Sequence, residues 1–262
     1  MRVNGAGGLL LAGSLAAIGL LSLVSGDFAL NWQPVPSGLP WREALARASG
    51  LVLLGCSAAV FVDRTAPRAA SVLTGYLLVW LLLLRGPRVA AHPLSAGMWL
   101  GFSENIVLLV GGWLLRVSIA TKDEQSHVKL PRLLYALALP FLGLSHFVYA
   151  GATTALVPAW LPARTGLTCL TGAGHVAAGL GLLFGILPRL AATLEAGMIG
   201  AFTILVWVPR VVHAPASRFE WTAFLISAAV TGACTIVAAS LHGAPWGWAE
   251  RSVPHDRLQI AT

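Results

Sequence analysis

Residues 69–84 read Ala-Ala-Ser-Val-Leu-Thr-Gly-Tyr-Leu-Leu-Val-Trp-Leu-Leu-Leu-Leu, and the run stops at Arg85-Gly86-Pro87-Arg88. Nothing in it is charged. Leu77, Leu78 and Leu81 to Leu84, with Trp80, read as a helix facing lipid. A bilayer core takes about 20 mostly apolar residues per helix. Seven further segments meet or approach that length: 8–25, 43–62, 97–115, 133–151, 166–186, 190–207 and 220–241. Proline and charge gather between them, as at Pro34, Pro36 and Pro40, at Asp63, Pro67 and Arg68, and at Pro209, Pro215 and Arg218. Those residues end helices and mark a return to water. Spanning segments are helices or closed barrels, because lipid offers the backbone no hydrogen bonds. Long runs without alternating polarity choose helices.

The whole composition agrees. Of 262 residues, 57% are apolar and 10% charged, against roughly a quarter charged in an ordinary soluble domain. A mean hydropathy of +0.78 leaves too little polar material to coat a water-exposed surface. The net charge of +7 comes from 17 Lys and Arg lying mostly between apolar runs. They are membrane-flank charges, and nucleic acid is excluded as a partner. Cys56, Cys169 and Cys234 lie in or at the edge of helices without C-x-x-C spacing, which predicts packing residues and no disulfide framework.

An internal repeat organises the segments. At a shift of 122 residues Val35-Pro36 falls on Val157-Pro158, Leu39-Pro40 on Leu161-Pro162, and Arg42 on Arg164. Gly50 falls on Gly172, Pro87-Arg88-Val89 on Pro209-Arg210-Val211, and Trp99 and Phe102 on Trp221 and Phe224. Coincidences of Pro, Arg and Trp at one constant shift are not cheap, so a repeat is inferred. The predicted fold is an all-α polytopic membrane protein, eight transmembrane helices arranged as two parallel-repeat four-helix bundles. The units are 1–118 and 133–242, with a polar linker at 119–132 and a short polar tail at 243–262. An even number of helices per unit places both termini on one side. That side receives ten Lys and Arg against seven, which points to the cytoplasmic face of a bacterial-type inner membrane. Trp32, Trp41, Trp160, Trp207 and Trp221 fall near the opposite boundary, as interfacial anchors do.

Four pieces of the second half carry a recognisable pattern: Gly143-Leu-Ser-His146-Phe147, Val157-Pro158-Ala-Trp160-Leu161-Pro162, Thr171-Gly172-Ala-Gly-His175 and Pro188-Arg189-Leu-Ala191-Ala192. They resemble the DoxX-like membrane-protein family over about 133–241. The first half, keeping the loop prolines and a few anchors, reads as a diverged second copy. The resemblance implies a four-helix bundle per copy. It also implies association with thiosulfate–quinone electron transfer or with oxidative-stress complexes. Where the family commonly opens its second helix with an acid after the glycine, this sequence has His175, and the first copy has Leu53.

Ionisable groups inside a bilayer are costly, so each is a functional hypothesis. Glu104, His146 and His175 lie about 10, 7 and 13 Å from the face opposite the termini at 1.5 Å rise per residue. Glu195 is placed toward the other face near Arg189, in a snorkelling or paired structural role. The sharp reading brings His146 and His175 together as contacts for a quinone head group, a metal or a haem. The bland reading bonds each neutral ring to a backbone carbonyl or to Ser145, Thr168 or Thr171. Two histidines fall short of the three or four ligands of a closed metal site. The proposed ligand-binding set is His146, His175, Glu104 and Trp160, with His146 and His175 as the conceivable metal ligands, and no cofactor is required. On the sixth segment Gly172, Gly174, Ala177, Ala178, Gly179, Gly181 and Gly185 form a smooth surface, for helix packing or as a flat wall for a sterol, quinone or acyl chain.

Three functions compete. The first is a binding or accessory protein, holding a small apolar ligand (quinone, isoprenoid or lipid) or seating a membrane redox partner. The second is an embedded enzyme using His146, His175 and Glu104 as acid–base groups. The third is a small-molecule transporter working between the two bundles. No G-x-x-x-x-G-K-[ST], H-E-x-x-H or G-x-S-x-G pattern is present, which removes the standard nucleotide, zincin and serine-hydrolase signatures.

Overall fold

A computed structural model describes residues 5–120 and 127–246, all helix and connector with no strand among them. Residues 121–126 of the linker and 247–262 of the tail lie outside the described residues. So do Arg2, Lys122, Arg251 and Arg257, four of the ten cationic residues assigned to the termini side. The first half contains α1 (Ala6–Ser25), α2 (Arg42–Ala59), α3 (Ala66–Trp80), α4 (Gly86–Ala91) and α5 (Ala96–Ala120). The second contains α6 (Lys129–Val148), α7 (Ala150–Leu156), α8 (Arg164–Leu183), α9 (Pro188–Phe202), α10 (Val208–His213) and α11 (Arg218–Ser240). One π turn joins α3 to α4 at Leu81–Arg85, and another joins α9 to α10 at Thr203–Trp207. Both precede a proline at the second position of the next helix, Pro87 and Pro209. Proline has no N–H for the carbonyl four residues back, here Leu83 and Leu205, and its ring crowds that oxygen. The widened turn absorbs the conflict without breaking the rod.

Seven helices are long and apolar enough to cross a membrane: α1, α3 through α4, α5, α6, α8, α9 through α10, and α11. This is a multi-pass membrane protein. The segment expected at 43–62 is also helical, as α2, but Arg42, Glu43 and Arg47 charge its first two turns. Its length of 18 residues is apolar only over the remainder. The sequence-equivalent helices start at 42 and 164, 66 and 188, 86 and 208, and 96 and 218, a constant offset of 122. The π turns keep the same offset. Trp99 Nε1 donates to the Pro93 carbonyl at 2.8 Å, and Trp221 Nε1 to the Pro215 carbonyl at 2.9 Å, which pins both α5 and α11 to their entry turns in one way.

Helices meet where side chains vanish. A Cβ on Gly19 would lie 2.6 Å from the Gly50 carbonyl, and one on Gly143 would lie 2.5 Å from the Gly172 carbonyl. So α1 crosses α2, and α6 crosses α8, with backbones in contact. Small residues make this possible where hydrophobicity cannot drive association. Between the halves α1 packs on α11 and α6 on α5, with α5 and α11 touching along the centre. Gly7 against Ile236 and Gly111 against Ala233 close that centre toward the start of α1 and the end of α11. Of the cysteines, Cys234 is buried and Cys56 half-buried. Cys169 is exposed on α8, so the packing role expected of it does not hold.

Candidate functional site

The deeper polar residues converge where α5, α6, α8, α9 and α11 splay apart, at the end of the bundle where α1 stops and α11 starts. A cavity of about 260 Å³ opens there, lined by Glu104, His146 and His175 among mainly apolar neighbours that include Leu100, Ile199 and Ile226. The three residues placed at similar depth by helical rise therefore face one space. Trp160 does not join them: it is 72% exposed on the connector before α8.

Each histidine is oriented through Nδ1. His146 Nδ1 donates to the Leu142 carbonyl one turn earlier at 3.0 Å. His175 is 2% exposed, and its Nδ1 donates to Glu195 Oε1 at 2.7 Å. With Nδ1 engaged, Nε2 is the polar edge each ring has left, a lone pair in the neutral form. The ring centroids are 5.1 Å apart with planes tilted by 48°. Rings that close leave no gap for a macrocycle between them, so the pair does not fit axial haem ligation. Among the described residues no three His, Cys, Asp or Glu side chains converge as metal ligands.

Glu195 is paired, as one of its two expected roles had it, but it does not snorkel toward Arg189; it is 1% exposed and faces His175 across the α8–α9 interface. Arg189 bonds the His242 carbonyl instead and lies over the Trp246 ring. A carboxylate on the neighbouring helix thus fixes the ring, as outer-shell carboxylates fix histidines in metal and catalytic sites. Glu195 Oε2 has no hydrogen-bond partner. The positions 122 residues earlier are Leu53 and Leu73, both fully buried.

The roof of the cavity comes from the other half. After α1 the chain runs through Asp27–Gln33, and Leu30, Asn31 and Trp32 line the cavity. Three arginines pin this strap. Arg42 and Arg218 bind the Asp27 carboxylate at 2.7 and 3.3 Å, and Arg218 also donates to the Phe28 carbonyl. Arg85, brought in by the first π turn, donates to the Asn31 and Trp32 carbonyls at 2.6 and 3.2 Å. Its guanidinium lies against Gly101, where any side chain would collide, and its charge acts on Glu104 one turn along α5. Gln33 ties the far end, accepting from Ala29 N–H and donating to Ser49 and Tyr76. Burial alone would raise the Asp27 carboxyl, but the Phe28 N–H, Arg42 and Arg218 outweigh it and hold the group below its ordinary value.

Sequence reasoning missed Trp32. Taken for an interfacial anchor, it is 3% exposed and lines the cavity, while its indole N–H is buried without a partner. Trp207, from the second π turn, lines the same space. Ser227 lines it from α11 and bonds Thr203, which bonds Thr231 in turn, so a hydroxyl ladder runs behind the wall. Their only sequence signal was a hydroxyl at one-turn spacing on an otherwise apolar helix. No family model, curated protein or solved structure matches this chain.

Proposed function

We propose that this protein binds a small apolar molecule through its polar head group in the cavity under the Asp27–Gln33 strap, as a binding or accessory component of a membrane redox system. One observation carries the reading: His175, held by Glu195, shares a cavity with His146 and Glu104. Trp32 lines the same wall from the strap. A volume of about 260 Å³ lies below the roughly 300–1,000 Å³ of pockets that enclose drug-sized ligands. It admits a head group, with any long tail left in lipid. A quinone head suits these residues, since its reduced hydroxyls donate to the Nε2 lone pairs of the two imidazoles. The resemblance to DoxX-like proteins supports the same class.

The architecture belongs to the proposal. In it α2 completes an eighth span, because its counterpart 122 residues on, α8, is long and apolar enough to cross. Two four-helix units then run the same way, with both termini in the cytoplasm and the strap facing the opposite compartment. Reporter fusions at residues 1 and 262 should give the same sidedness; opposite sides would overturn the layout.

A short-chain quinone should raise the melting temperature of the detergent-purified protein and quench its tryptophan fluorescence, and both responses should vanish in His175→Leu. Organic extracts should yield more than bulk phospholipid. An unmoved melting temperature together with phospholipid-only extracts would sink the assignment. The transporter reading has one observation in its favour, since the cavity lies between the halves. The Gly7–Ile236 and Gly111–Ala233 contacts close its floor, and flux in proteoliposomes would have to break them.

A further inference from the structure

The polar atoms around the cavity divide by where their protons go. His146 spends its Nδ1 proton on the Leu142 carbonyl, and His175 spends its own on Glu195. A neutral imidazole carries one N–H, so both Nε2 atoms are left as lone pairs. Neither has a hydrogen-bond partner among the described residues, and neither is sealed away from the space that both rings line. Glu104, on the same wall, makes no hydrogen bond or ion pair with a described residue. It keeps an accepting oxygen whether ionised or protonated.

The hydroxyls of the wall have no proton to offer. Thr222 donates to the Arg218 carbonyl. Thr203 gives its proton to the Ile199 carbonyl, so in the bond between Thr203 and Ser227 it is Ser227 that donates. The Trp32 N–H is buried, with no surface open to the cavity. The side-chain donors left on the wall are the Asn31 amide and the Trp207 indole. Both stand toward the mouth. Asn31 is exposed on the strap, and Trp207 lies twelve residues beyond Glu195, which marks the level of His175. Acceptors therefore gather at the deep end and donors at the mouth.

We infer, resting on the quinone reading proposed above, that the cavity takes the reduced form of its ligand in preference to the oxidised one, a quinol over a quinone. A quinol turns a hydroxyl inward and donates it to His146 Nε2, on the more open of the two rings. A quinone turns a carbonyl toward the same lone pair, and in a low-dielectric interior two facing acceptors go unpaired. The outer oxygen of either form accepts from Asn31 or Trp207, so the inner end discriminates. A site built to bond a hydroxyl rejects an analogue lacking it far more strongly than an apolar pocket rejects a change of size. No covalent bond is made or broken on binding. Each tenfold of preference raises the midpoint potential of the bound two-electron couple by about 30 mV.

The test is anaerobic calorimetry on the whole detergent-purified protein, with a short-chain benzoquinone, its dithionite-reduced quinol and the dimethyl ether of that quinol. The quinol should bind at least about tenfold more tightly than the other two, the penalty of leaving a buried acceptor unpaired. His146→Phe keeps a ring at this half-buried position and removes the lone pair. It should bring quinol and quinone to within about threefold of each other. If that variant fails to fold, the three ligands on the unaltered protein still decide. Equal binding of quinol and quinone, tighter quinone, or an ether that matches the quinol overturns the inference and leaves the quinone reading standing. So does an undiminished preference in folded His146→Phe. Binding by neither quinol nor quinone overturns that reading, and this inference with it.

Discussion

The α2–α3 pair of the first half and the α8–α9 pair of the second begin 122 residues apart, helix for helix. Each opens on a left-handed residue, Trp41 or Ala163, and each is packed from outside by a helix crossing at glycine. Their centres differ. The first holds Leu53 against the apolar core, with Leu73 equally buried; the second holds His175 bonded to Glu195. Two leucines therefore suffice to keep these helices together. A buried ion pair replaced by well-packed apolar residues is often neutral or stabilising, whereas a pair broken on one side is costly. On the proposed reading the histidine and glutamate serve a ligand and not packing, so the second half supplies the polar pair of the site while the first supplies Glu104 and the strap.

Breaking the pair on one side gives the largest effect. Glu195→Ala leaves His175 buried without its acceptor and should cost about 3–5 kcal/mol, read as a lowered unfolding midpoint in detergent. Copying the first half sharpens the comparison. The double variant His175→Leu/Glu195→Leu should match or exceed the parent by up to about 4 kcal/mol and yet lose all response to a short-chain quinone. A double variant as unstable as the single one would mean that the polar pair is structural after all.

The smallest effect belongs to the connectors. Where the second half builds α7, the first spends the same stretch on the Asp27–Gln33 strap. Asp27→Asn should cost about 0.2–1 kcal/mol, as expected of a partly exposed ion pair. Because the carboxyl sits below its ordinary value when folded, its contribution is present in full above about pH 4, the unfolded value. It is lost as pH falls through the lower, folded value. Acidification below pH 4 should therefore expose Trp32 to an aqueous quencher in the parent. In Asp27→Asn the quenching should lose that step.

Counting residues was enough to find seven helices long and apolar enough to span, the offset of the helix starts, and the shared cavity of Glu104, His146 and His175, because helical rise converts sequence position into depth. The same arithmetic misled for Glu195, since it was measured from the opposite face. Counted from the turn that joins α8 to α9, His175 lies eight residues back from Leu183 and Glu195 seven beyond Pro188. Both then stand at one height. That comparison was available in the sequence, but which faces of α8 and α9 meet was not, because a helix smooth or apolar all round carries no stripe to fix its rotation. The strap was illegible for another reason. Its hold rests on carbonyls of Phe28, Asn31 and Trp32, and every residue owns a carbonyl.

The arginine clasp on those carbonyls makes the halves unequal. Residues of the earlier half form the ceiling beneath which the later half keeps its charges, and Arg218 of the later half reaches back to fasten it. Neither half could be exchanged for a second copy of the other: two first halves would roof a room without histidines, and two second halves would leave theirs open to rain.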